Sequence, residues 1–214
     1  MVRASARFSS KNPIIRTYSK DHQLIDLRRE QIAMRSARLL VKKGYDRSTI
    51  REIASACGMT MGMLYHYVGS KEDVLYLVMN HAMSQLAEFC EKTFAGLANH
   101  PPIQALQMAI KEYFGKIDKQ QDLVLFTYQE TKNVRSELQR SILETNMRVV
   151  AGFEGLLARG CATGDFKIRN LTIVAHEVVA LGQLWALNRW FLRKHCTLDE
   201  YTTEHIQSIL RGIA

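Results

Sequence analysis

The residues best suited to chemistry crowd into one short stretch. Thr60-Met61-Gly62-Met63-Leu64-Tyr65-His66-Tyr67 carries a phenol, an imidazole and a position without a side chain. Thr49 and Arg51 precede it and Lys71 follows. Phenol, imidazole, ammonium and guanidinium groups all donate to phosphate oxygens, and a guanidinium also reaches base edges. Gly62 admits close approach of a backbone. This is chemistry for holding a polyanion, not for breaking bonds. The signals of catalysis are missing. His176-Glu177-Val178-Val179-Ala180 begins like H-E-x-x-H but has no second His, so it lacks a two-ligand zinc face. There is no G-x-S-x-G, no P-loop and no G-x-G-x-x-G. Cys57, Cys90, Cys161 and Cys196 lie far apart with no C-x-x-C, and read as reduced thiols of a cytoplasmic protein. The sequence therefore predicts no catalytic residue, metal or cofactor.

Spacing places these donors on short helices. Apolar and capping patterns predict a helix from about Leu24 to Lys43, with Ile32, Ser36, Leu39 and Leu40 inward and Gly44 as its stop. Thr49-Ile50-Arg51-Glu52 is a capping box that opens a short helix ending at Gly58. Thr60 caps the next one. The expected core between them is Ile50, Ile53, Ala54, Met59 and Leu64, which leaves Met61, Gly62, Met63, Tyr65 and His66 facing outward. Helix, short helix, Gly turn, short helix over residues 24–68 is the spacing of a helix-turn-helix reader of the major groove. Ser70-Lys71-Glu72-Asp73 opens a long helix with Val74, Val78, Ala82, Leu86, Phe89 and Cys90 inward, and puts Lys71 where a helix N-terminus already favours phosphate.

Charge agrees with this placement. The chain has 214 residues and a formal net charge of +8. Residues 1–80 hold 14 Lys+Arg against 7 Asp+Glu, and residues 81–214 hold nearly equal numbers. Residues 1–20 carry Arg3, Arg7, Lys11, Arg16 and Lys20 with no acid, and read as a basic flexible arm. A 47 % hydrophobic share excludes a disordered chain. No secretory leader is visible.

Beyond Asn99-His100-Pro101-Pro102 the pattern stays helical. Ile103, Leu106, Ile110, Tyr113, Phe114 and Ile117 mark one helix, and Leu123–Tyr128 a short one. Val134, Leu138, Ile142, Val149, Phe153 and Leu156 mark a long helix ending near Gly160. Asn170 caps a helix over Leu171–Arg193, and Thr197-Leu198-Asp199-Glu200 opens the last, to about Gly212. The expectation is an all-α fold of about nine helices. It divides into the arm (1–20), a helix-turn-helix domain (21–70) and a helical domain (71–214). Of the 22 residues Leu171–Leu192, 15 are hydrophobic, so this helix must be buried on nearly all sides, partly by a second copy of the chain. The expected partner surface is Leu184, Leu187, Trp190 and Phe191 with Tyr201, Ile206, Ile209 and Leu210. His176, Glu177, Gln183, Asn188 and Arg189 interrupt the run and argue against a membrane span.

The stretch from Arg28 through Ala37-Arg38-Leu39-Leu40-Val41-Lys42-Lys43-Gly44-Tyr45, Thr49-Ile50-Arg51-Glu52-Ile53-Ala54, Gly62-Met63-Leu64-Tyr65-His66-Tyr67 and Ser70-Lys71-Glu72 resembles the TetR family of bacterial transcriptional regulators. The resemblance covers about 50 residues and implies a three-helix DNA-binding head followed by a helical domain that dimerises and binds a small effector. It implies DNA contact by Thr49, Arg51, Met61, Gly62, Tyr65, His66 and Lys71. Met61 and Met63 stand where the family more often has polar residues, so base readout would lean on apolar contact and DNA shape. It implies a homodimer on a palindromic operator, acting as a repressor released by a small hydrophobic effector. Candidate pocket residues are Met108, Phe114, Phe126, Met147, His176, Gln183 and Trp185. The pattern from Trp185 and Arg189-Trp190-Phe191 to Leu210-Arg211-Gly212 is similar to the fatty-acid-metabolism branch, whose effectors are acyl-CoA thioesters; Lys132, Arg135 and Arg140 could meet the CoA phosphates. Two other readings stay open: an architectural DNA-binding protein without effector, and a small helical enzyme or ligand carrier.

Overall fold

Most helix starts in this chain are fixed by a side chain that satisfies an orphan backbone N–H. A computed structural model describes Ile15 and residues 21–213; the expected basic arm, Ile15 apart, lies outside the described residues. Asp21 accepts from the Leu24 N–H at 3.1 Å and opens α1 (His22–Lys43). Gly44, at φ 85°, ends it, a backbone angle that costs glycine little. Thr49 and Glu52 form the expected capping box on α2 (Ile50–Cys57), which stops at Gly58 in the left-handed region. Thr60 accepts from the Met63 N–H at 3.1 Å and opens α3 (Met61–Tyr65). Ser70 accepts from the Asp73 N–H, and Asp73 in turn accepts from the Gly69 N–H, at the start of α4 (Lys71–Gly96).

Pro102 sits at the first position of α5 (Pro102–Lys119), where a missing N–H costs nothing. There follow α6 (Gln121–Glu130), a 3-10 turn over Thr131–Asn133, and α7 (Ser136–Thr163). Asn170 caps α8 (Leu171–Leu187), and Thr197 with Glu200 boxes the start of α10 (Leu198–Ile213). The described residues hold no strand. The helix expected over Leu171–Arg193 is broken: α8 stops at Leu187 and a single turn, α9 (Arg189–Leu192), follows. The break falls at Asn188, whose backbone leaves helical angles at φ −110° and ψ 21° while its side-chain amide joins its N–H on the Leu184 carbonyl. The new direction lets Arg189 pair with Asp122 and Arg193 with Asp118. This adds one helix to the nine expected.

The chain forms two units, Met1–Ser84 with Phe126–Glu144, and Gln85–Leu125 with Thr145–Ala214. The first unit therefore takes in the start of α4 and of α7 as well as α1–α3. Arg135 explains that grouping: its N–H bonds the Glu72 carboxylate at 2.7 Å and its guanidinium the buried Asp73 carboxylate at 2.9 Å. Tyr76 and Ser141 add a hydroxyl pair at 3.0 Å.

In the second unit six rings run in series. Phe94 meets Phe153 with centroids 4.7 Å apart, Phe153 meets Tyr113 at 5.5 Å, and Tyr113 meets Phe114 at 6.0 Å. Phe114 meets Tyr201 at 5.8 Å, and Tyr201 meets Trp185 at 5.1 Å. Most of these contacts are tilted or edge-on, the arrangements that ring quadrupoles favour. Gly160 and Gly182 leave room for this packing, since a Cβ at either would run into the rings of Phe166 or Tyr113. Ile103, expected inward on α5, is 40 % exposed because the chain has only just entered the helix there.

Candidate nucleic-acid interface

The outward face is built on the smallest helix of the head. Helix α3 has five residues and buries only Leu64. Burying one Leu is worth roughly 1.5–3 kcal/mol, far short of what an isolated turn needs to form. The deficit is made up at both ends. Thr60 caps the N-terminus. Beyond the C-terminus the Tyr67 carbonyl accepts from Arg29 Nε at 3.0 Å, and Arg29 is 3 % exposed. The preceding turn is held in the same way: Arg35 donates to the Cys57 carbonyl at 2.8 Å, against Gly58. Both arginines sit on α1 and end the short helices with a positive charge, the sign a helix C-terminus prefers. Burial pushes the Arg29 pKa down, and the nearby Asp26 and Asp73 oppose that shift.

Arg29 is absent from the residues that sequence alone singles out. The signal was present: the spacing that turns Ile25, Ile32, Ser36 and Leu40 inward turns Arg29 inward with them. The rest of the expected core is confirmed in part. Ile53, Ala54 and Leu64 are buried, with Cys57 beside them, whereas Ile50 and Met59 are half-buried. Burial pushes the Cys57 thiol up, and Ser36 and Arg35 oppose it.

Held this way, α3 turns Met61, Gly62, Met63, Tyr65 and His66 to solvent. Thr49 and Arg51 are also exposed, at the start of α2. A Cβ on Gly62 would meet only the Thr60 hydroxyl, at 4.0 Å, so the protein itself does not require glycine there. Lys71 is tethered more than its sequence position implies. Its ammonium lies 4.2 Å over the Tyr45 ring and 3.4 Å from the Asp46 carbonyl, so the charge is carried at the turn after α1. Burial raises the Tyr45 pKa, as do the carboxylates of Glu72, Asp46, Glu130 and Asp73. Lys43 and Glu52 pair at 2.5 Å, which ties α1 to the Thr49 capping box.

The residues expected to line an effector pocket fall in several places. Phe126 is buried in the first unit. Phe114 and Trp185 belong to the ring series of the second, where Trp185 also donates to Asp118 at 2.8 Å. Gln183 donates to Asn146 at 3.5 Å, and Met147 and His176 are exposed. Met108 lines an open recess of about 280 Å³ with Gln107, Lys111, Thr203, Ile206 and Gln207. Lys132 and Arg140 are exposed, while Arg135 is engaged by Glu72 and Asp73.

The expected partner surface divides as well. Leu184, Trp190 and Phe191 are 43 %, 69 % and 48 % exposed, and Leu187 and Leu210 are half-buried. Tyr201, Ile206 and Ile209 turn into the core of their own unit, so α10 offers Glu204, Gln207, Ser208 and Arg211 outward. Ile173, on the exposed side of α8, is 64 % exposed and lies outside the expected set.

Among the described residues, no group of three or more His, Cys, Asp or Glu could hold a metal ion, and no helix is long and apolar enough to cross a membrane.

Known proteins share this arrangement. Residues 34–76 match the family "Bacterial regulatory proteins, tetR family", and residues 99–213 match "Tetracyclin repressor-like, C-terminal domain". The chain is 27 % identical to the HTH-type transcriptional regulator HbdR of Aromatoleum sp. (strain CIB), over 89 % of this chain and 82 % of that protein. Its fold matches the regulator FadR from Bacillus subtilis, solved in complex with stearoyl-CoA, with a TM-score of 0.72 at 20 % identity, covering 86 % of this chain and 98 % of that one. It also matches AibR, solved in complex with isovaleryl coenzyme A and operator DNA, with a TM-score of 0.66 at 22 % identity, covering 84 % and 96 %. These relatives are regulators of transcription, not enzymes. With both its head and its helical domain matched, this chain belongs to the TetR family of bacterial regulatory proteins.

Proposed function

We propose that this chain is a homodimeric repressor that holds a palindromic operator and lets it go when an acyl-CoA thioester binds. The observation that carries the DNA half is the outward face of α3, capped by Thr60 and clipped by Arg29, in the part of the chain that holds nearly all of its excess positive charge. Tyr65, His66 and Lys71 supply phosphate contacts, Arg51 a guanidinium, and Met61 and Met63 apolar contact with base edges. Gly62 keeps a side chain out of the approach. Thr49 stands beside them at the exposed N-terminus of α2.

The dimer reading rests on exposed apolar side chains at helical spacing along α8 and on α9: Ile173, Leu184, Trp190 and Phe191. A two-fold pair would present two α3 helices to successive major grooves, which is why the operator should be palindromic. The effector class rests on the likeness to FadR and AibR, whose structures hold acyl-CoA thioesters. A ligand that favours another spacing of the heads would weaken DNA binding, with a coupling of about 1–3 kcal/mol.

The test is anisotropy of an end-labelled duplex from upstream of the chain's own gene, against scrambled competitor, with and without acyl-CoA thioesters of graded length. Specific binding released by one range of chain lengths is the expected result. Tyr65→Phe and Lys71→Ala should each weaken binding, and Lys71→Ala should also lower the salt slope by about 0.9 as one phosphate is no longer neutralised. Unchanged affinity in both variants would remove the head assignment. Binding indifferent to every thioester would remove the effector class.

A further inference from the structure

The helix assigned to the major groove, α3, holds no Asn, Gln, Arg or Lys, the side chains that bond base edges in pairs. Thr60 is committed as its cap, accepting from the Met63 N–H at 3.1 Å. What the first turn shows to solvent is carbon and sulfur: Met61 is 39 % exposed and Met63 36 %. Successive residues of a helix turn by about 100°. Gly62 therefore lies nearly opposite the buried Leu64, at the crest, with a methionine to either side. A Cβ at Gly62 would have room within the protein, so glycine there weakens the helix without relieving any clash of its own. The result is a bare crest flanked by two thioether side chains.

One group of the major groove matches that surface. Every base pair presents hydrogen-bonding atoms there, but among the four unmodified bases only thymine also presents a methyl group, at C5. An amine, N7 or O6 pressed against a methionine would lose its water and gain no partner, which is unfavourable. A methyl group loses nothing by the same contact, and polarisable sulfur adapts its shape to it.

We propose that Met61 and Met63 are the specificity-determining residues of α3 and select thymine through its 5-methyl group. Each half-site then carries thymines beneath the crest at Gly62, and α3 forms no paired hydrogen bonds to a base. Selection by hydrogen bonding falls instead to Arg51, exposed at the start of α2. This selectivity rests on the reading of α3 as the DNA-binding helix and names the group that the helix reads.

The experiment uses the full chain to enrich a duplex from a random-sequence pool. That duplex is remade with a fraction of its thymines replaced by uracil, which lacks the methyl group and pairs identically. Bound and free fractions are separated and cut at uracil. Uracil at thymines of each half-site should be depleted from the bound fraction, by about fourfold for each methyl group lost. Met61→Ala and Met63→Ala should each abolish the depletion at the thymine that its side chain touches. Both side chains are exposed, so helical circular dichroism should not change. Tight binding with no depletion at any thymine overturns the proposal. So does depletion that persists in the double variant, which would place the methyl effect in DNA shape. Gly62→Ala should bind more weakly with its thermal midpoint unchanged or raised; equal binding would overturn the role of the bare crest. Lys71→Ala and Tyr65→Phe run alongside. If they weaken binding and uracil does not, only the methyl reading fails. If neither they nor uracil matters, or the pool yields no enriched duplex, the head reading fails and the methyl reading falls with it.

Discussion

In the head, the decisive side chains bond to backbone; in the second unit, they pack on one another. Arg29 and Arg35 hold the carbonyls of Tyr67 and Cys57, Ser48 holds the carbonyl of Gly44, and Thr49 and Thr60 hold N–H groups. Across the second unit the six rings from Phe94 to Trp185 are joined by contact alone. Element size explains the difference. Helices of eight and five residues bury too few apolar groups to fix their own directions. Directed bonds then set the geometry, and a reading face needs geometry more than it needs bulk. Helices α5, α7, α8 and α10 are long enough to be fixed by packing, which tolerates variety in detail but not holes.

The contrast can be broken most forcefully at Phe153, which is fully buried between Phe94 and Tyr113. Phe153→Ala should cost about 3–5 kcal/mol, seen as a fall in the urea midpoint. A loss under about 1 kcal/mol, small for a core truncation, would mean the rings do not carry the unit. Asp118 is one of the polar ties in that unit, since it accepts from both Trp185 and Arg193. Asp118→Ala leaves the buried indole N–H unmet and should cost about 1–3 kcal/mol, measured by calorimetry. In the head, Thr49→Ala removes half of a capping box and should cost about 1 kcal/mol. Its mark should be faster amide exchange across α2 and α3, with exchange in α5 and α10 unchanged. A uniform effect would deny that the two regions are held independently.

The smallest effect concerns acid. Lys43 and the Thr49 bonds hold the Glu52 carboxyl at about 2, below its ordinary 4.5. A lowered folded value means the carboxylate stabilises the head fully above its ordinary 4.5. That contribution fades as pH falls from 4.5 towards about 2. Glu52→Gln should flatten this part of the pH dependence of α2 exchange; an identical profile in the variant would show that the capping box does not titrate.

What could be read from the sequence follows the same divide. Caps are local, so Thr49 with Glu52, Thr60, Asn170, and Thr197 with Glu200 were all legible from a few adjacent letters. The outward face of α3 was legible too, because Leu64 fixes which side is inward. Bonds between distant residues were not. Nothing in the sequence near Lys71 announces the Tyr45 ring, and nothing near Asp118 announces Trp185 and Arg193. The break at Asn188 was hidden because a strongly apolar run looks continuous whichever way its backbone turns. Tyr201, Ile206 and Ile209 show the limit of apolar spacing: it identifies a face to be covered, not whether the cover is the same chain or another.

Both tryptophans of the chain, Trp185 and Trp190, lie in the second unit, one buried against Tyr201 and the other 69 % open to solvent. Indole emission is therefore blind to the head. Melting α1–α3 would leave the spectrum unmoved, and anything that covers Trp190 would shift its emission to the blue and shield it from iodide. Light from this protein reports on whatever covers Trp190 and leaves the head silent.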